Sequence, residues 1–101
     1  MANLRSKIAL EEFLKLLNEA HIQSGRSLRE VSDLCIIDRS YVSFILNGHR
    51  HPNRDVLIAL CMIGWNLDVY DTDLILKEGR YKTILNWQKA GWDSLVNTSQ
   101  H

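Results

Sequence analysis

Proline is almost missing from this chain, one residue in 101, and glycine occurs five times and cysteine twice. So few breakers exclude a proline-rich extended chain or a low-complexity linker. Cys35 and Cys61 make no CxxC and have no histidine at ligand spacing, which argues against a zinc ribbon or a disulfide framework. They read as reduced core thiols of a cytosolic protein. A net charge is missing too: 12 basic residues meet 12 acidic ones, so the overall balance names no polyanionic partner. The longest apolar run, VLIALCMIGW at 56–65, falls well short of the roughly 20 residues that cross a bilayer. The opening MANLRSKIALEEF reaches acidic residues too early for a signal peptide. A cytoplasmic protein without membrane association is expected. No grouping of His, Asp, Glu or Cys has nucleophile-and-base or metal spacing, and no glycine-rich phosphate loop occurs, so neither an enzyme nor a cofactor is expected.

What is present is ordinary globular composition, 46% hydrophobic and 24% charged, enough for one domain. Period-two alternation does not persist, and the fold class is read as all-α. Residues 6–23 put Leu10, Phe13, Leu14, Leu17 and Ala20 on one helical stripe, with Ser6 as a candidate N-cap and Gly25 beyond the end. SLRE at 27–30 is a capping box that starts a second helix over 28–35. Asp38 caps a third helix over 39–47, and Gly48 fits the left-handed position that ends it. Asn53 caps a fourth helix through Ile63, stopped by Gly64, and Asp68 caps a fifth over 69–78, stopped by Gly79. The tail places Tyr81, Ile84, Leu85, Trp92, Leu95 and Val96 at roughly helical spacing, an additional C-terminal helical segment. Trp87 and Trp92 either pack on the domain or form a dimer interface.

Charge is unevenly spread. Residues 21–54 hold five Arg against Glu30, Asp33 and Asp38, a net of +2, together with His21, His49 and His51, whereas residues 55–101 carry −2. The second and third helices outline a helix-turn-helix. Their inward positions would be Val31, Cys35, Ile37, Val42 and Ile45, all apolar, with the small Ser32 at the closest approach. Arg39, Ser40, Ser43, Phe44 and Asn47 share the other face of the third helix.

The stretch SLREVSDLCIIDRSYVSFILNGHRHPNRDVLIAL resembles the Cro/C1-type helix-turn-helix family, the lambda-repressor-like domains of the xenobiotic response element group. DRSYVS leads the recognition helix, ILNG closes it, HRHP follows in the loop, and the likeness spans about residues 6–80. The resemblance implies a five-helix DNA-binding domain over 1–80 with its motif at 27–48, and an extension over 81–101 as a possible dimer interface. It implies sequence-specific binding of double-stranded DNA by a small prokaryotic or phage-type transcriptional regulator, a repressor acting as a homodimer. Arg39 and Ser40 would sit at base edges with Ser43 and Phe44 one turn on. Arg39 suits guanine, and Phe44, with no hydrogen bond to offer, a thymine methyl. Asn47, His49, Arg50 and His51 would face phosphates, with Arg26 and Arg29 as a second phosphate clamp. Three histidines near that face imply tighter binding as pH falls toward 6.

The blander readings remain beside these. Arg39 could be a solvated helix residue, the His-Arg-His loop simply hydrated, and Phe44 packed on a neighbour. A protein-interaction module, antitoxin-like, in which DNA contact is secondary or lost, is the alternative of another class. Two departures from the family pattern stand out: Phe44 at a usually polar position, and Ile36 where the inter-helix turn usually has glycine. Either the turn is rebuilt with Ile36 at negative φ, or it tolerates strain of about 1–3 kcal/mol.

Overall fold

The computed structural model describes residues 4–87, with side chains from residue 10 onward. Five α-helices follow in order, α1 (Leu4–Ser24), α2 (Leu28–Cys35), α3 (Arg39–Leu46), α4 (Arg54–Ala59) and α5 (Val69–Glu78); a π-helical turn, Leu60–Gly64, continues α4. No strand occurs among the described residues, and the all-α reading holds. The starts of α2 to α5 are set by Ser27, Asp38, Asn53 and Asp68, whose side chains accept from the backbone N–H of Glu30, Ser40, Val56 and Asp71. Each short oxygen replaces an acceptor that the first helical turn lacks. At α2 the Glu30 carboxylate accepts from the Ser27 N–H at 3.0 Å, closing the capping box, and the bonds to Ser27 hold the Glu30 carboxyl below its ordinary value.

Every helix sends apolar side chains to one core: Phe13, Leu17 and Ala20 from α1, Val31 from α2, Val42 and Ile45 from α3, and Leu57 from α4. Leu60 and Cys61 from the π turn, Trp65, and Ile75 and Leu76 from α5 complete it. At about 1.5–3 kcal/mol for each large apolar side chain buried, this core supplies the main term that holds the helices together. Cys61 is buried, with its thiol pushed up to about 12 by desolvation. Cys35 is half-buried, and both thiols are free.

Three local expectations differ from the structure. Helix α1 begins at Leu4, so Ser6 lies inside it and does not cap it, and Leu10 at the end of the apolar stripe is 43% exposed. The fourth helix covers its expected span, but its last turn widens: the Trp65 N–H bonds to the Leu60 carbonyl and the Leu67 N–H to that of Cys61, both at 2.8 Å. That turn backs onto α2 through Gly64, where a Cβ would lie 2.8 Å from Val31 Cγ1 and 2.9 Å from Cys35 Sγ. Only a residue without Cβ lets the two segments come so close.

The third difference is in the tail. Residues 81–86 are not helical, because their polar backbone groups are taken by tertiary partners. The N–H groups of Ile84 and Leu85 donate to the buried Asp73 carboxylate at 2.6 and 3.0 Å. The Lys82 and Thr83 carbonyls accept from Arg54 at 2.7 and 3.2 Å. The segment 81–87 is therefore packed against α4 and α5, and a domain border at residue 80 would cut through these bonds. Trp92, Leu95 and Val96 lie outside the described residues.

At the turn between α2 and α3, Ile36 adopts φ 55° and ψ 48°, the left-handed region, with its side chain 92% exposed. The strained alternative is the one found. Glycine in its place relieves about 1–3 kcal/mol of strain and adds about 0.4–1 kcal/mol of unfolded-chain entropy. Strain relief wins, because an exposed side chain sacrifices no burial. Ile36→Gly is expected to raise stability by about 1 kcal/mol, read as a higher urea midpoint with an unchanged slope; a lower midpoint refutes the strain argument.

Trp65, 2% exposed, donates its indole N–H to His21 Nδ1 at 3.1 Å. Burial holds the His21 imidazole below its ordinary 6.5, and only an unprotonated Nδ1 accepts that bond. The unfolded chain then takes up the proton first as pH falls, so the contribution is complete above about pH 6.5 and is lost below it. Urea midpoints are expected to drop between about pH 7 and pH 5.5, and to drop less in His21→Asn; equal drops would show that His21 is not the cause.

Candidate nucleic-acid interface

The motif is assembled from the inside. In α2 the Ser32 hydroxyl, buried, donates to the Ile37 carbonyl just before α3. The Asp38 carboxylate then accepts from the Ser40 N–H at 2.7 Å and starts α3. Val42 and Ile45 are fully buried on one side of the helix. The opposite side is therefore turned outward: Arg39, Ser40 and Asn47 are exposed, Ser43 is half-buried, and Phe44 is 45% exposed. Residues three and four apart share a helix face, so these five form one continuous strip. Asn47 Nδ2 donates to Ser43 Oγ at 3.3 Å, which orients the two side chains together.

Beyond α3 the chain reverses at Gly48, φ 79°, where a Cβ would also meet Leu14 Cδ1 at 2.7 Å. The reversal carries His49 and Arg50 back beside α3, and their N–H groups donate to the Phe44 carbonyl at 2.8 and 3.2 Å. The His49 ring stands edge-on to Phe44, centroids 6.3 Å apart at 89°. Arg39, Ser40, Ser43, Phe44, Asn47, His49 and Arg50 thus lie on one connected surface, with Arg29 exposed on α2. An outward strip of one guanidinium, two hydroxyls, an amide and a ring, flanked by a basic loop, suits base edges and phosphates.

Three residues expected at this surface have other partners. Arg26 Nη1 donates to the carbonyls of Ile63 and Gly64 at 2.9 and 2.7 Å, closing the end of the π turn. His51, though exposed, stacks on Tyr81 with centroids 5.1 Å apart at 10° and lies 5.6 Å from Phe13. His21 is not a surface cation at all: it accepts from Trp65, which removes it from the set of three histidines expected to strengthen binding at low pH.

Other supporting residues escaped the reading of the sequence. Asn18, within the stripe of α1, donates from Nδ2 to the carbonyls of Leu14 and Leu46, both at 2.9 Å, and so caps the end of α3 from another helix. Asp73 accepts from the Trp87 indole at 3.0 Å as well as from two backbone amides. The signal for Asn18 was an amide on a helix face otherwise apolar; for Asp73 it was a carboxylate three residues before Leu76, on the inner side of α5.

The helix-turn-helix family model matches residues 14–63 of the chain. The transcriptional regulator ClgR of Mycobacterium tuberculosis, in strains CDC 1551 / Oshkosh and ATCC 25618 / H37Rv, is 39% identical over 46 residues, 46% of this chain. The chain covers 41% of the length of these relatives. No solved structure matches it significantly.

The two arginines of α2 and its approach are expected to separate on mutation. Arg26→Ala leaves two carbonyls without a charged donor, expected to cost about 1–3 kcal/mol. Arg29→Ala at an exposed position is expected to stay within about 0.5 kcal/mol. Equal losses in urea unfolding would contradict the assignment.

Proposed function

We propose that this chain, which belongs to the Cro/C1-type helix-turn-helix family through residues 14–63, binds double-stranded DNA in a sequence-dependent way as a transcriptional regulator. The observation that carries the reading is the outward strip of α3, Arg39, Ser40, Ser43 and Phe44, beside an exposed loop that carries Arg50. The relatives' name, transcriptional regulator, agrees with it.

In this reading α3 enters the major groove by its N-terminal end. Arg39 reaches a guanine edge, Ser40 and Ser43 offer hydroxyls to either base, and Phe44 lies against a thymine methyl. Asn47, His49, Arg50 and His51 meet the phosphates on one side and Arg29 on the other. Arg26 supports the surface by its bonds to Ile63 and Gly64, with its charge still near it. A single α3 reads only a few base pairs, so the protein acts as a homodimer on paired half-sites. Tyr70 and Leu74, exposed and four residues apart on α5, with Trp87 against the Tyr70 ring and Ile84 exposed in the segment that follows, offer apolar surface for that pairing, together with the extension over 81–101. Repression follows where such a dimer covers a promoter.

A protein-binding role is the competing reading, favoured by Ile36, an apolar side chain 92% exposed beside Leu34 at 46%. Duplex binding separates the two. At low salt the wild type is expected to bind random-sequence duplex and to select a defined site from a random pool. Arg50→Ala should weaken all sequences alike and lower the slope of log K against log salt by about 0.9. Arg39→Ala should instead erase about 1–3 kcal/mol of discrimination at one base position. Absence of duplex binding at low salt, with a co-purifying protein, would establish the competing reading.

A further inference from the structure

The loop 49–53 carries Arg50 and His51, yet few bonds within it hold it in place. His49 and Arg50 are tied to Phe44 at one end, and Asn53 caps α4 at the other. Between them stand His51 and Pro52, and both rest on one residue outside the matched helix-turn-helix segment. Tyr81 stacks under the His51 ring, centroids 5.1 Å apart at 10°, and its hydroxyl donates to the Pro52 carbonyl. The same ring lies 6.0 Å from Phe13, which is itself core.

Several features bring Tyr81 to that place. Gly79 has no Cβ where one would lie 2.5 Å from the Phe13 ring and 2.7 Å from that of Tyr81. Arg80 turns the chain back in the left-handed region, φ 64°. The Tyr81 N–H bonds to the Leu76 carbonyl at 2.8 Å. Arg54 then holds the carbonyls of Lys82 and Thr83, and Asp73 holds the amides of Ile84 and Leu85 and the indole of Trp87. Segment 81–87 is a strap bound at both its ends, with Tyr81 under the loop.

We infer that Tyr81 is a positioning residue for DNA binding: it fixes the loop 49–53 so that Arg50 and His51 meet phosphate without first being ordered. The inference rests on the reading of that loop as a phosphate-contacting surface. A loop that must be ordered at the moment of binding gives up affinity, and a side chain no longer held near a phosphate displaces no counterion from it.

The test uses the full chain and a short random-sequence duplex, titrated over a range of sodium chloride, with thermal unfolding followed in parallel. Tyr81→Leu, folded at the assay temperature, is expected to bind about three- to tenfold more weakly at moderate salt, with a slope lower by about 0.9, the share of one phosphate that is no longer neutralised. Tyr81→Phe keeps the ring under His51 and is expected to keep the slope. In an Arg50→Ala background Tyr81→Leu should have little further effect, since both act on the same phosphate. If Tyr81→Leu does not fold, Tyr81→Met, with apolar volume over Phe13 but no ring for His51, carries the same expectation. A merely structural role would lower the melting temperature and leave the slope alone. An unchanged slope in a folded Leu or Met variant, or full additivity with Arg50→Ala, overturns the inference while leaving DNA binding intact. A wild type that binds no duplex overturns both.

Discussion

Helix α3 is eight residues long, too short to persist alone in water, where isolated helices of fewer than about 12–15 residues are marginal. It exists because both ends and one side are held. Asp38 supplies the acceptor at its start, Val42 and Ile45 bury its inner side, and Asn18 of α1 donates to the Leu46 carbonyl at its finish. The approach is held in the same way, by Ser32 donating to Ile37. Everything the outward strip can do depends on these tethers, since a helix that rotated or frayed would present a different set of side chains.

Most of this was legible because it rests on local rules. Ser27, Asp38, Asn53 and Asp68 cap their helices through short-range hydrogen bonds that the spacing alone announces. Val31, Val42 and Ile45 are inward because helical periodicity leaves them nowhere else to go. Ile36 was legible as a conflict, and the structure resolves it in favour of the turn: the geometry between α2 and α3 is fixed by Ser32 and the packed helices, and the backbone of Ile36 conforms to it at a cost.

What was not legible is long-range polar pairing. Arg26 and Arg54 look like free cations in the sequence, but they cap carbonyls 37 to 38 and 28 to 29 residues away. His21 looks like a surface base and is an acceptor for a core indole. Tyr81, Ile84 and Leu85 keep a helical spacing in a segment that forms no helix there, because Asp73 and Arg54 offer its backbone better partners than its own carbonyls. Hydrophobic periodicity carries no information about a carboxylate eleven residues upstream, so the strap could only be found in three dimensions.

These reassignments bear on how a neutral protein would hold a polyanion. Of the five arginines between residues 21 and 54, two direct their guanidinium groups at backbone carbonyls, and Arg29, Arg39 and Arg50 remain exposed. Few exposed cations mean few released counterions, hence a weak non-specific term. Affinity for a chosen site must then come from shape and base edges, and both require α3 and its loop to be ordered in advance. On the proposed reading, arginines used for rigidity rather than for charge would favour selectivity: the fixed loop and the capped helix would lower the ordering cost on the right sequence, and the modest charge would give little hold on any other.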